Sequence, residues 1–246
     1  IPLRLVGSEM CIRDSFYIAG LASLVGVLMF WRMGAQLNHH ANAPTSKISW
    51  ASSRRVLSSK AAFAILMVGL GGCVFGGLSS FQTSYAAAQG LDYSLFFGGF
   101  LSAAITSRLL IAGHVVKRDA YWAACVLSGI MLGSIALFAF GVSGNLSYLL
   151  AAGTLGVGYG LTYSVINGLV ANEAPPGTTS QALLLFSLAY FVGVFGFPLL
   201  AGKIIVDSGL PTLLASVLAV ALFNWLITVA RLIWRQRSAN KILQVN

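Results

Sequence analysis

Tyr159, Tyr163 and Asn167 recur every fourth residue inside an apolar run, so a helix stacks all three on one face. A tyrosine pairs an apolar ring with a hydroxyl, and an asparagine amide both donates and accepts hydrogen bonds. A row of this kind suits an amphiphilic organic ligand. It also suits groups that satisfy one another or a neighbouring helix, and the residue types leave both readings open. A second row runs through Phe75, Ser79, Gln82 and Tyr85. Gln82 is the most polar residue deep in its run, either a vestibule group or an interhelical hydrogen-bonding one. Ser102 and Thr106, and Ser187 and Tyr190, are weaker candidates, because hydroxyls often bond their own helix backbone.

The charged residues narrow the chemistry. Arg108 closes an apolar run. It can pair with an acid, cap helix carbonyls at a gate, or snorkel to the interface. After Phe16 the only acids are Asp92, Asp119, Glu173 and Asp207, each at the end of a run. A mid-span carboxylate, the usual proton relay, is therefore not expected here. His39, His40 and His114 fall in or beside loops and read as solvated. Cys73 and Cys125 lie in apolar runs, and no cysteine pair has metal spacing. A Walker-type phosphate loop is missing from the sequence. No metal, no cofactor and no enzymatic reaction are expected.

The elements that carry these residues are membrane helices. Apolar residues make up 57% of the 246 and charged residues 9%, against about 25% charged in soluble domains. The net charge of +9 would suit nucleic acid in a soluble protein. Here the basic residues sit between apolar runs, so they read as topology signals and contacts to anionic lipid, with no nucleic-acid partner. Seven apolar runs follow residue 15: Phe16 to Trp31, Ala61 to about Ala87, Tyr93 to Gly113, Ala120 to Val142, Leu146 to Ala171, Ala182 to Val206, and Leu210 to Trp234. Pro211 opens the last run, where a missing amide proton costs nothing. Gly72 to Gly76 and Gly156 to Gly160 each have the G-x-x-x-G spacing that lets helix backbones approach closely.

Thirteen of the fifteen Lys and Arg lie after residue 15, and twelve of them fall on one side if the runs alternate. Only Lys203 falls on the other. Basic loops stay in the cytoplasm, which predicts a multi-pass inner (plasma) membrane protein with a cytoplasmic C-terminus. Residues 32–60 form the one long linker, basic and free of acid, and six compact runs follow it. Residues 235–246 form the tail. Residues Leu5 to Ser15, LVGSEMCIRDS, resemble an in-frame translation of a transposase-based sequencing adapter. Residues 1–15 are therefore expected to be an artefact and carry no functional weight.

Three stretches carry a resemblance to a family. Thr106-Ser107-Arg108-Leu109-Leu110 with Gly113, then Gly113-His114-Val115-Val116-Lys117-Arg118, resemble the eighth span and the G-x-x-x-D-R loop of the major facilitator superfamily. Lys117 stands where that motif has an acid, and Asp119-Ala120-Tyr121 replaces its glycine and basic residues. Gly156 to Gly202, with Pro175-Pro176 and Gly196-Phe197-Pro198-Leu199-Leu200-Ala201-Gly202, is similar to the span ten to eleven region of efflux-type, arabinose-efflux-like permeases. Ser180-Gln181-Ala182 departs from the basic residue and glycine common there.

The resemblance implies an all-α integral membrane fold. It comprises a C-terminal six-helix bundle over 61–234 and the last helix of an N-terminal bundle over 16–31, seven transmembrane helices in all. It implies alternating-access transport of a small organic solute, with export favoured, and a partner in the N-terminal six-helix half. The cavity candidates are then Tyr159, Tyr163, Asn167, Ser79, Gln82 and Tyr190. Arg108, Gly113 and Arg118 are the candidate gating motif at the cytoplasmic mouth. The rivals are a non-transporting receptor or assembly factor on the same fold, and a membrane-embedded enzyme.

Overall fold

A computed structural model describes residues 2–37, 49–115 and 118–243, with side chains described over 16–34, 49–115 and 118–237. The 38–48 part of the linker, with His39, His40 and Lys47, lies outside the described residues, as does Lys117. Two compact units divide the chain, Ile1–Ser46 and Lys47–Asn246. The first holds α1 (Pro2–Leu37), an unbroken helix whose apolar part is Phe16–Gly34.

All other described elements belong to the second unit, and all are helical. They are α2 (Trp50–Leu57), α3 (Ala61–Ser79), α4 (Gln82–Gln89), α5 (Ser94–Leu110), α6 (Ala112–Val115), α7 (Ala120–Phe140), α8 (Asn145–Glu173), α9 (Thr179–Phe191), a π-helical turn (Val192–Gly196) and α10 (Phe197–Leu243). With no water in hydrocarbon, a helix is the way a single segment satisfies its own backbone. Five described segments are long and apolar enough to cross a membrane: Phe16–Gly34, Ala61–Ser79, Ala120–Phe140, Asn145–Glu173 and Thr179–Arg237. Ser94–Leu110 is apolar but shorter. The last two of the seven expected runs share the segment Thr179–Arg237. Gly209 breaks it at φ 80°, ψ 173°, a conformation that favours glycine, two residues before Pro211. The run expected from Ala61 to Ala87 is also divided. Its helix stops at Ser79, and α4 starts after Phe81.

α8 lies at the centre of the bundle, packed on α3, α5, α7 and α9, while α10 covers α3 and α7. Glycine brings the backbones together. A Cβ on Gly156 would stand 2.3 Å from the Phe100 carbonyl of α5, and one on Gly158 would stand 2.7 Å from the Met131 nitrogen of α7. The tightest seam joins α3 to the π turn. Pro198 has no N–H for the carbonyl of Val194 four residues earlier, and the helix widens just before it. A Cβ on Gly76 would stand 2.4 Å from that carbonyl oxygen, and one on Gly193 would stand 2.2 Å from the Gly69 carbonyl.

At one end of the bundle α2 is clipped in place. Gln181 Nε2 donates to the Ser49 carbonyl and to Ser53 Oγ, both at 2.9 Å. Val56 is buried, while Trp50, Arg54, Arg55 and Leu57 face outward. Aromatic and basic side chains together suit a lipid headgroup layer. At the other end Asp92 sits between α4 and α5. Hydrogen bonds from Ser94 hold its carboxyl below the usual carboxylate range.

The seam predicts a contrast between two alanine substitutions. Gly193→Ala should destabilise the folded bundle by about 1–3 kcal/mol or more, because the methyl meets backbone that cannot rotate away. Gly133→Ala, on α7 with open space around it, should be neutral or slightly stabilising. Thermal unfolding of both variants in one detergent checks the pair.

Candidate functional site

Three of the expected site residues converge. Tyr159 on α8 donates its hydroxyl to the Tyr190 hydroxyl on α9 at 3.2 Å. The Tyr163 ring meets the Tyr190 ring edge-on at a centroid distance of 5.1 Å and the Phe186 ring at 5.2 Å. On the other side Tyr159 stacks on Phe75 of α3 at 4.8 Å, with Phe100 of α5 at 6.1 Å. The four-residue spacing on α8 aims both tyrosines at α9. The small residues of α3 let α9 approach: a Cβ on Gly72 would lie 2.7 Å from the Tyr190 carbonyl. Tyr159 is nearly buried, while Tyr163 and Tyr190 are half-buried. Asn167 continues the row one turn further and is also half-buried.

The second row does not join them. Gln82 is 1% exposed. Its Nε2 donates to the Leu78 carbonyl at 3.1 Å, and its Oε1 accepts from the Tyr148 hydroxyl at 2.7 Å. A buried amide left unpaired is costly, and here both ends are engaged. These bonds tie the end of α3 to α8 through Gln82. Tyr85 behaves alike, donating to the Phe138 carbonyl at 2.8 Å. Ser79 is half-buried at the end of α3. The break at Phe81 separates it from Gln82 in helical phase.

Arg108, Gly113 and Arg118 do not form one cluster. Gly113 and Arg118 are exposed in the short α6 region, and a Cβ on Gly113 would meet nothing within 4 Å. Arg108 leaves that loop altogether. Its Nε and Nη2 donate to the Gly160 carbonyl of α8 at 3.3 and 3.2 Å. Gly160 is the residue after Tyr159, so the guanidinium stands at the level of the tyrosine row. The side chain points back along its helix, as Cβ geometry directs.

Sequence reasoning missed a charged cluster at the α2 end of the bundle. Arg231 of α10 is 7% exposed and pairs with Glu173 at the end of α8, Nη2 to Oε1 at 3.1 Å and to Oε2 at 3.2 Å. The rings of Phe63, Trp234 and Tyr121 stand 4.5, 5.2 and 5.7 Å from its guanidinium carbon. Asp119 caps α7 by accepting from the Tyr121 and Trp122 amides, and it pairs with Arg235. The signal was present as one acid at each run end and basic residues in the tail, but nothing in the sequence pairs them. Asn224 is fully buried with neither amide atom partnered, and Thr162 Oγ1 is likewise unpartnered among the described residues. No group of three or more metal-ligating side chains occurs among the described residues.

Apolar spanning helices, glycine seams and a polar aromatic patch define a polytopic α-helical membrane protein. The chain belongs to the Major Facilitator Superfamily, whose family model matches residues 5–198. Members of that family are in general membrane transporters, and the chain is placed in that broad class. No curated relative matches the chain.

The charged cluster yields a test of stability. Arg231→Ala should cost about 3–5 kcal/mol, because it removes the hydrogen-bonded partner of Glu173 in a nearly closed site. Glu173→Gln should cost less, since the aromatic rings still hold Arg231. Unfolding midpoints of the two variants give the order.

Proposed function

We propose that the protein is a secondary transporter that moves a small organic solute by alternating access, in the export direction. The observation that carries this reading is the convergence of Tyr159, Tyr163 and Tyr190 from two helices, with Asn167 one turn on. Three rings offer an apolar bed, and their hydroxyls with the Asn167 amide offer directional hydrogen bonds. A mostly apolar surface with a few placed polar groups is the usual composition of a small-molecule site. The substrate would lie between this bundle and a second six-helix bundle, near the membrane midplane. The glycine seams along α3 and α8 support movement of helices as packed units, because backbone contacts leave no long side chains to unthread. Export rests on the likeness of Gly156 to Gly202 to efflux-type permeases. The basic residues on the α2 side support an inner-membrane protein with that side, and the C-terminus, in the cytoplasm.

Solute flux in reconstituted vesicles tests the reading. Tyr159→Phe and Tyr190→Phe each remove one hydroxyl and keep the ring. Each should raise KM about 3- to 10-fold at near-constant kcat, the loss expected for one hydrogen bond. Unchanged KM in both would remove the site assignment. Absence of flux across a broad solute panel would favour a receptor or assembly role on the same fold.

A further inference from the structure

We propose that Arg108 is a binding residue for the negative charge of the transported solute, so that the substrate is an organic anion with an apolar or aromatic body. The proposal rests on the tyrosine site above and names its substrate class.

The argument starts from depth. Gly160, the residue whose carbonyl Arg108 reaches, lies about 20 Å along α8 from its end at Glu173. Arg108 itself lies in the last turn of α5, and its guanidinium reaches back from there to a carbonyl near the middle of α8. Charged groups at such depth face a bundle interior or a wet cavity, because lipid cannot solvate them. Arg108 is exposed in this bundle. Its outward face is therefore a cavity or inter-bundle face.

The second step is charge. The Gly160 carbonyl accepts from Nε and Nη2 but carries no formal charge to neutralise the cation. The acids that could do so are engaged or distant. Glu173 pairs with Arg231, and Asp119 with Arg235. Asp92 is bound to Ser94 near the opposite end of the bundle. Asp207 lies next to the Gly209 break, also toward that end. Among the described residues no carboxylate stands against Arg108. The remaining N–H groups of its fork match a carboxylate or phosphate oxygen pair.

The third step is the neighbourhood. Arg108 bonds the carbonyl of Gly160, the residue that follows Tyr159 and precedes Tyr163 on α8, and those two tyrosines form the ring bed with Tyr190. A cation beside phenol rings and hydroxyls complements a solute with an anionic head and a flat apolar body. Gly160 makes the arrangement possible. With no side chain there, its carbonyl is open to the guanidinium, and α5 lies close enough for Ala104 Cβ to come within 3.2 Å of a Cβ built on it.

The test compares three probes of one shape on the purified protein: benzoate, neutral benzamide and cationic benzylammonium. Binding is read by calorimetry for the parent, Arg108→Gln, Arg108→Lys and Tyr159→Phe. Benzoate should bind tightest. Arg108→Gln should weaken benzoate about 10-fold or more and leave benzamide unchanged, and Arg108→Lys should retain part of the preference. Tyr159→Phe should weaken benzoate and benzamide alike. Benzamide binding as tightly as benzoate, or benzoate binding that survives Arg108→Gln, overturns the anion proposal while leaving the tyrosine site standing. The first of these results is also what an acid supplied to Arg108 by a second bundle would give. No binding of any probe overturns the tyrosine site and the proposal with it.

Discussion

Pro198 has no amide hydrogen to give Val194, and the geometry of the bundle's tightest seam follows from that missing donor. The helix opens into a π turn, and the Val194 carbonyl meets α3 at a residue with no side chain, Gly76. Gly193 meets the Gly69 carbonyl in the reverse sense. With backbone pressed on backbone, α9 is fixed in position along α3. That position sets Tyr190 within hydrogen-bonding distance of Tyr159. Looser packing, with Leu or Val at Gly72 and Gly76, would hold α9 farther away and leave the tyrosines apart.

A second constraint is the cost of charge in a medium without water. The bundle meets it in two ways. At the α2 end Arg231 is enclosed by Glu173 and three aromatic rings, so the charge is both paired and shielded. Arg108 lies deeper and has only a carbonyl. The first arrangement ties the ends of α8 and α10 to each other. The second leaves donors available beside the aromatic patch.

Much of the architecture was legible in the chain. Composition and run length gave membrane helices. The α8 row put Tyr159 and Tyr163 on one face because a four-residue repeat has a fixed meaning on a helix. Gln82 was visible as a polar residue in an apolar run. Its choice between cavity and helix contact depended on Tyr148, which is 66 residues away. Arg108 was readable as a cation at a helix end, but a long flexible side chain reaches either way, and Gly160 decided which. Gln181 looked like a departure from a family pattern, and it proved to be the clip that holds α2.

The sequence by itself determined the helical, membrane-spanning character of the chain, the start of the last run at Pro211, and the face that Tyr159 and Tyr163 share. These are local properties, set by hydropathy, ring closure in proline and the 3.6-residue turn. Only the tertiary structure decided that Tyr190 completes the patch, that Glu173 finds Arg231, and that Arg108 reaches the Gly160 carbonyl. Each depends on which helix faces which and at what height. That is settled by the fit of glycine-lined backbones over long sequence separations, where no periodicity in the chain carries the information.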